Sequence, residues 1–230
     1  MKSRQEIKAL AKEAMGMQRG NSIVLMLVYF AIVIGVTLIS MALDFVVLIT
    51  LGTVMYWMVY SIGMVVITVI SMVLGVNLIG AFIKIYKREN TEVGELLTFT
   101  NPLRKVGGML WMALWVWLWS LLLVIPGIIK GLAYYFTANV LADCPNVSAT
   151  QAIKISMRIT KGHKGKVFLF ILSWIGWFIL SSLTLGILFV VYVGPYFYTA
   201  DAGLYLELRD LAIKEGRLTK EELGMAENIN

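Results

Sequence analysis

Hydrophobic residues run almost without interruption through the first third of the chain. Between Arg19 and Lys84 there is no lysine or arginine, and the only charged residue is Asp44. A helix needs roughly 20 apolar residues to cross a hydrocarbon layer of about 30 Å. The stretch is long enough for two such helices, so the pattern predicts a membrane hairpin here and not the core of a soluble domain.

Charge-poor runs alternate with short basic segments over the rest of the chain. If every basic segment faces the cytoplasm, an even number of crossings must separate successive segments. The pattern therefore predicts an all-α fold, a polytopic membrane helix bundle in one domain over 1–223, with a frayed tail over 224–230. The predicted spans are about 22–43, 60–83, 106–125, 127–142, 167–185 and 187–206.

The distribution of basic residues sets the predicted orientation. Of the 20 lysines and arginines, all but Lys130 fall in the segments placed in the cytoplasm, together with both termini. The span over 127–142 is short and carries Lys130, so a re-entrant or tilted segment is the alternative. Pro126-Gly127 and Gly194-Pro195 are the predicted helix breaks, because proline lacks the backbone N–H and glycine permits a turn.

Two segments outside the spans read as amphipathic helices. Residues 3–15 begin with a capping box, Ser3 and Glu6, and residues 148–161 begin with another, Ser148 and Gln151. Each places apolar residues on one face and basic residues on another. The second helix and the loop after it form a candidate surface for anionic lipid headgroups or a partner protein, made of Lys154, Arg158, Lys161, Lys164 and Lys166.

The second and third hairpins look like repeats of each other. Tyr135 to Asn139 resembles Phe197 to Asp201 at an offset of 62 residues, and Asn77 occupies a similar place in the first hairpin. Polar residues at such depth usually face the protein interior. Asn77, Asn139 and Asp201 are thus a candidate intramembrane polar cluster, which either lines a cavity or fixes helix packing by hydrogen bonds.

The sequence offers little for catalysis. It has one histidine, His163, and one cysteine, Cys144, and it lacks the common hydrolase, metalloprotease and nucleotide-binding motifs. We therefore expect no enzyme activity, no catalytic residue, no metal and no cofactor. The net charge of +6 does not indicate nucleic-acid binding, since loop orientation explains the basic residues.

A set of separated positions, mostly in the second half, resembles a known family. They are Arg4, Ile7, Lys8, Ala11, Ile125 to Lys130, Tyr134, Tyr135, Leu141 to Asp143, Pro145, Ala152, Ser156, Met157, Gly162, Phe168, Ser173 to Trp177, Thr184 to Ile187, Gly194 to Tyr196 and Thr199. Over about 100–223 the pattern is similar to the integral membrane family called domain of unknown function 975. The resemblance implies a bacterial cytoplasmic-membrane protein of about six helices and supplies no activity.

The expected function is a non-enzymatic, membrane-organising or partner-binding component that contacts membrane lipids and a protein partner or a second copy of itself. The alternative is a small transporter, or an export or resistance accessory protein, that uses a polar intramembrane cavity. A third hypothesis, an intramembrane enzyme acting on lipid, would need Asp44 or Asp201 to meet other titratable groups.

Overall fold

The computed structural model describes residues 2–122 and 124–224, and it contains helices and no strands within those residues. The all-α prediction is therefore confirmed. The described helices are α1 Arg4–Met17, α2 Arg19–Tyr86, α3 Pro102–Leu122, α4 Val124–Tyr134, α5 Thr137–Asp143, α6 Ala149–Thr160, α7 Lys164–Leu172, α8 Ile175–Leu183 and α9 Gly194–Lys214, with a short 3₁₀ turn at Val93–Leu97 and a π turn at Phe189–Val193. Apart from Gly224, the predicted frayed tail lies outside the described residues.

Helix α2 is folded back on itself as a hairpin. At Gly52 the backbone leaves helical geometry, with φ 81° and ψ −179°, a conformation that glycine adopts at little cost. The arms 19–51 and 53–86 then run antiparallel. They pack closely, since a Cβ on Gly63 would lie 2.5 Å from Oγ of Ser40. Asp44 lies eight residues before the turn and is buried. The helical arms include residues 45–51 and 53–59, on either side of the turn.

Two further hairpins follow. Helices α3 and α4 pack against each other, and α4 is separated from α5 by a two-residue turn at 135–136. Helices α7 and α8 lead to a turn at Leu185 and Gly186, both with positive φ, after which the chain returns through α9. By length and composition alone, Arg19–Tyr86 and Lys164–Leu183 are long and apolar enough to cross a membrane.

The predicted helix breaks are placed differently in the structure. Pro126 and Gly127 lie inside the first turn of α4, where a missing N–H removes no intrahelical bond. Gly194 and Pro195 begin α9 directly after the π turn, and Gly194 keeps helical angles of φ −62° and ψ −56°. The wider π turn accommodates the missing N–H of Pro195, so the chain continues without a break.

The returning arms of the three hairpins meet at the centre of the bundle. The rings of Phe82 and Tyr198 stack with centroids 5.4 Å apart, which joins the first arm to the third. One helical turn further on, Gly203 lies so close to Tyr86 that a Cβ would overlap the ring. The small residue therefore permits the close approach of α2 and α9.

Both amphipathic helices are docked against the bundle. The two capping boxes form as their sequences predict, at Ser3 and Ser148. Helix α1 buries Ile7, Ala11 and Ala14 and packs on α9. Helix α6 packs along α3 and α4. Its side chains Ile153 and Met157 join an apolar group with Met112, Trp115, Val116, Ala133 and Tyr134.

Large apolar side chains remain exposed on the outer half of the first hairpin. Exposure reaches 70% at Ile39, 74% at Val54 and 61% at Trp57. These residues lie on both sides of the Gly52 turn, beyond the part of the hairpin that contacts the other helices. An apolar surface of this extent marks a site that contacts a membrane or another protein.

Candidate functional site

The ends of the three returning arms are held together by one carboxylate, Asp143. It accepts hydrogen bonds from Nζ of Lys87 at 3.0 Å, from Nη1 of Arg209 at 2.6 Å and from the Tyr205 hydroxyl at 3.1 Å. The Asp143 side chain is only 5% exposed and that of Arg209 is 12% exposed. We call these four residues the Asp143 junction. It links α2, α5 and α9 through charge-assisted bonds to a buried carboxylate, with the Lys87 side chain still 32% exposed.

A second buried carboxylate joins two of the three polar residues singled out in the sequence. Asp201 accepts hydrogen bonds from Nδ2 of Asn139 at 3.0 Å and from the Tyr135 hydroxyl at 2.8 Å. Asn139 and Asp201 are 3% and 6% exposed. The structure thus brings Asn139 and Asp201 together in a closed hydrogen-bonded group, and it places Asn77 in a different set of contacts.

Asn77 lines a polar cavity at the same end of the bundle as the Asp143 junction. Its amide donates to the carbonyl oxygens of Leu96 and Thr98, both at 2.8 Å. This fixes the amide orientation and turns its oxygen toward Nζ of Lys105, from which it accepts a hydrogen bond. Lys105 is 7% exposed, an unusual burial for a lysine.

The cavity beside Asn77 and Lys105 has a volume of about 430 Å³. We call it the inner cavity. It opens between the end of α2, the 3₁₀ turn, the start of α3 and the end of α5. Its charged lining residues are Lys84, Lys87, Glu89, Glu95, Arg104, Lys105 and Asp143.

The basic surface predicted over α6 and the following loop is divided in the structure. Lys154 is exposed, whereas Arg158 pairs with Glu222 at 2.7 Å. Lys161 and Lys164 line a shallow cavity of about 430 Å³ together with Lys130. Lys166 is exposed at the start of α7 and makes contacts of its own.

Lys130 thus lies beside Lys161 and Lys164, whereas the predicted topology places it on the opposite side of the membrane from them. The hydroxyl of Ser156 donates to the carbonyl of Ala133 at 2.9 Å, which holds α6 beside α4. The sequence could not show this contact, because it depends on how α6 docks. The Lys130 ammonium also lies 4.7 Å from the Trp119 ring centroid.

The C-terminal segment covers part of α6. Arg217 donates through Nη1 to the carbonyl oxygens of Arg158, Ile159 and Lys161, which lie at the end of that helix. Leu218 and Leu223 are buried. Residues 217–224 thus cover the end of α6, and the Arg158–Glu222 ion pair holds this segment on its outer side.

We expect the Arg158–Glu222 ion pair to weaken in acid. The hydrogen bond from Arg158 and the Thr219 backbone N–H lower the pKa of Glu222 below its ordinary value. A carboxyl with a depressed pKa stabilises the fold above its unfolded pKa and loses that contribution as pH falls through the folded value. Glu222→Gln should therefore raise pH-corrected hydrogen exchange across 218–224 at neutral pH, by a few-fold because exposed ion pairs are weak.

The control for that experiment is Glu221→Gln, since Glu221 does not contact Arg158. Because Glu221 hydrogen-bonds with Thr219, this variant should change the exchange of 218–224 at neutral pH, but less than Glu222→Gln does. Equal exchange in wild type and Glu222→Gln, at both neutral and acidic pH, would show that the ion pair does not hold residues 218–224 in place.

Cys144 and His163 are the two side chains outside these groups that most often take part in catalysis. Burial, with a contribution from Asp143, raises the pKa of Cys144 to about 11, which keeps the thiol protonated at neutral pH. Partial burial and the charge of Lys166 lower the pKa of His163. In the part of the chain that the structure describes, no three His, Cys, Asp or Glu side chains are placed to hold a metal ion.

The fold and these contacts define an all-helical bundle of hairpins, closed at one end by buried ion pairs and polar contacts. Residues 103–212 match the model of a family described as "Protein of unknown function (DUF975)", and this part of the chain belongs to that family. The match runs from α3 into α9 and confirms the resemblance read from the sequence. No curated protein and no solved structure matches the chain.

Sequence reasoning missed two features of the site. Lys105 reads as an ordinary positive-inside lysine, and its burial becomes visible only when α2, the 3₁₀ turn and α3 are assembled. The Asp143 junction joins residues far apart in the chain. One signal could have found part of it, because Asp143 and Tyr205 have the same offset of 62 residues as Asn139 and Asp201.

Proposed function

We propose that the chain is a multi-pass protein of the bacterial cytoplasmic membrane and acts as a non-enzymatic, membrane-organising or partner-binding component. The observation that carries the membrane placement is the exposed apolar surface of the first hairpin, with Ile39, Val54 and Trp57 all more than 60% exposed. Each square ångström of such surface costs about 25 cal/mol in water. Contact with lipid removes that cost.

In this arrangement the six predicted segments are embedded and both termini lie in the cytoplasm. The Asp143 junction, the inner cavity and the docked helices α1 and α6 then face the cytoplasmic side. The contact of Lys130 with the α6 end supports the alternative in which 127–142 is tilted or re-entrant. Such a path is tolerated where other helices cover it, as α6 and α7 cover α4.

The closed group around Asp201 favours partner binding over transport. Both carboxylate oxygens of Asp201 are occupied, one by Tyr135 and one by Asn139. A transport site needs polar groups that a substrate can reach. The hydrogen bonds instead join α4–α5 to α9, which supports a packing role for these residues.

Cysteine labelling tests this function. Asn139→Cys and Asp201→Cys, made in a Cys144→Ser background, should not react with a membrane-impermeant thiol reagent in intact or opened vesicles. Thr100→Cys, at an exposed position on the cytoplasmic side, should react only after the vesicles are opened. Reaction at both 139 and 201 from a single side would reveal an aqueous path and would replace this proposal with a transporter.

The same reagent tests the path of the second hairpin. Lys130→Cys and Lys161→Cys should both react only when the cytoplasmic face is accessible, because the two lysines line one cavity. Reaction of Lys130→Cys from the outside would instead support a full crossing by 127–142.

A further inference from the structure

Lys105 is a buried cation whose charge has no counter-ion. Among residues 2–122 and 124–224, no carboxylate lies within 4 Å of its ammonium, and Asn77 is its hydrogen-bond partner. An ammonium has three donors, so up to two are available to a ligand in the inner cavity that it lines. A buried charge is costly unless it is paired, and such a group therefore favours an anionic ligand.

The neighbouring charges do not supply that anion. Glu95 pairs with Lys84 at 2.8 Å, and Asp143 is held by Lys87 and Arg209. Glu89 also lines the cavity, but its side chain lies at the exposed rim. The lining carries four cations and three carboxylates, so an excess of one positive charge is left in the cavity.

The Lys105 ammonium is also held in a fixed position, as a group that binds a ligand needs to be. Asn77 is fixed by its two bonds to backbone carbonyls and in turn fixes the ammonium. The cavity lies at the start of α3, a helix of 21 residues whose N-terminal end favours negative charge. Thr100 and Asn101 add side-chain donors at the rim.

We propose that the inner cavity binds a phosphate-bearing anion, either a lipid headgroup or a free phosphate, with Lys105 as the principal cation. A phosphate has several acceptor oxygens and suits a lysine that acts as a point charge. A volume of about 430 Å³ leaves room for more than the phosphate itself. The inference goes beyond the proposed function and depends on the cavity, not on the number of membrane spans.

Binding to purified full-length protein in a non-ionic detergent tests the inference. Inorganic phosphate is titrated by calorimetry, and phosphatidic acid is compared with phosphatidylcholine in mixed micelles by native mass spectrometry. Wild type should bind at least one of the two phosphate probes, inorganic phosphate or phosphatidic acid. Lys105→Gln should weaken that binding by roughly 10- to 100-fold, the usual effect of losing a charge-assisted contact.

Two further variants make the result decisive. Lys154→Gln removes an exposed lysine outside the cavity and should leave binding unchanged. Thr100→Glu places a carboxylate at the rim without disturbing the core, and it should compete with the anion even if Lys105→Gln does not fold.

Binding of inorganic phosphate identifies a free anion as the source, and binding of phosphatidic acid alone identifies a headgroup. Failure of wild type to bind either probe overturns the inference, as does equal binding by wild type and Thr100→Glu. Neither result bears on the labelling of positions 139 and 201, so the two proposals can fail separately.

Discussion

Asp143→Asn should lower the free energy of unfolding by about 3 kcal/mol, since removal of one partner leaves a buried charge uncompensated. Asp143 is the shared acceptor of Lys87, Tyr205 and Arg209. The amide keeps the size of the side chain but removes the charge that two cations face. Thermal unfolding in detergent, followed by circular dichroism, measures the loss.

The matched control is Asp210→Asn. Asp210 also pairs with Arg209, at 2.7 Å, but its side chain is 62% exposed. Exposed pairs contribute about 0–1 kcal/mol, so this variant should be close to wild type. The double variant Asp143→Asn/Arg209→Gln should recover part of the lost stability, because the buried guanidinium is gone. Equal melting temperatures for Asp143→Asn and Asp210→Asn would rule out the Asp143 junction as a major stabilising contact.

Trp174→Ala is expected to cost about 3–5 kcal/mol, the usual range for a large aromatic residue in a packed core. Trp174 is 0% exposed and lies in the turn between α7 and α8. Its ring centroid is 4.9 Å from that of Tyr196 and 5.3 Å from that of Phe197. Alanine would leave a cavity that these rings cannot close without moving.

Two companion variants separate packing from other effects. Trp177→Ala, one helical turn away, removes an indole that is 37% exposed and should cost much less. Trp174→Phe keeps most of the packing and removes an indole N–H that has no hydrogen-bond partner in the described structure, so it should also be mild. If the two alanine variants melt at the same temperature, the Trp174 contacts are not central to the fold.

The elements of this fold could be predicted because they depend on short-range pattern. The unbroken apolar run before Lys84 predicts a hairpin, and α2 forms one. The capping boxes at Ser3 and Ser148 satisfy backbone N–H groups within their own first turns, so no distant residue is needed. The apolar stripe that contains Ile7 and Ala11 gives the buried face of α1.

The site could be predicted only where the internal repeat brings residues to equivalent positions. Asn139 and Asp201 occupy equivalent positions of the repeat and meet in the structure. Asn77 does not join them, because the chain after α2 folds back and offers the carbonyls of Leu96 and Thr98. The position of Lys130 depends on the docking of α6, which composition does not encode.

If the first hairpin spans a membrane as proposed, its length affects the lipid around it. Its arms of 33 and 34 residues, on either side of Gly52, would each extend about 50 Å at 1.5 Å per residue. A hydrocarbon layer is about 30 Å thick, so in a bilayer the arms must tilt strongly or thicken the lipid beside them. Hydrophobic mismatch of this kind makes the energy of the protein depend on bilayer thickness. The protein would then partition toward the thicker regions of its membrane.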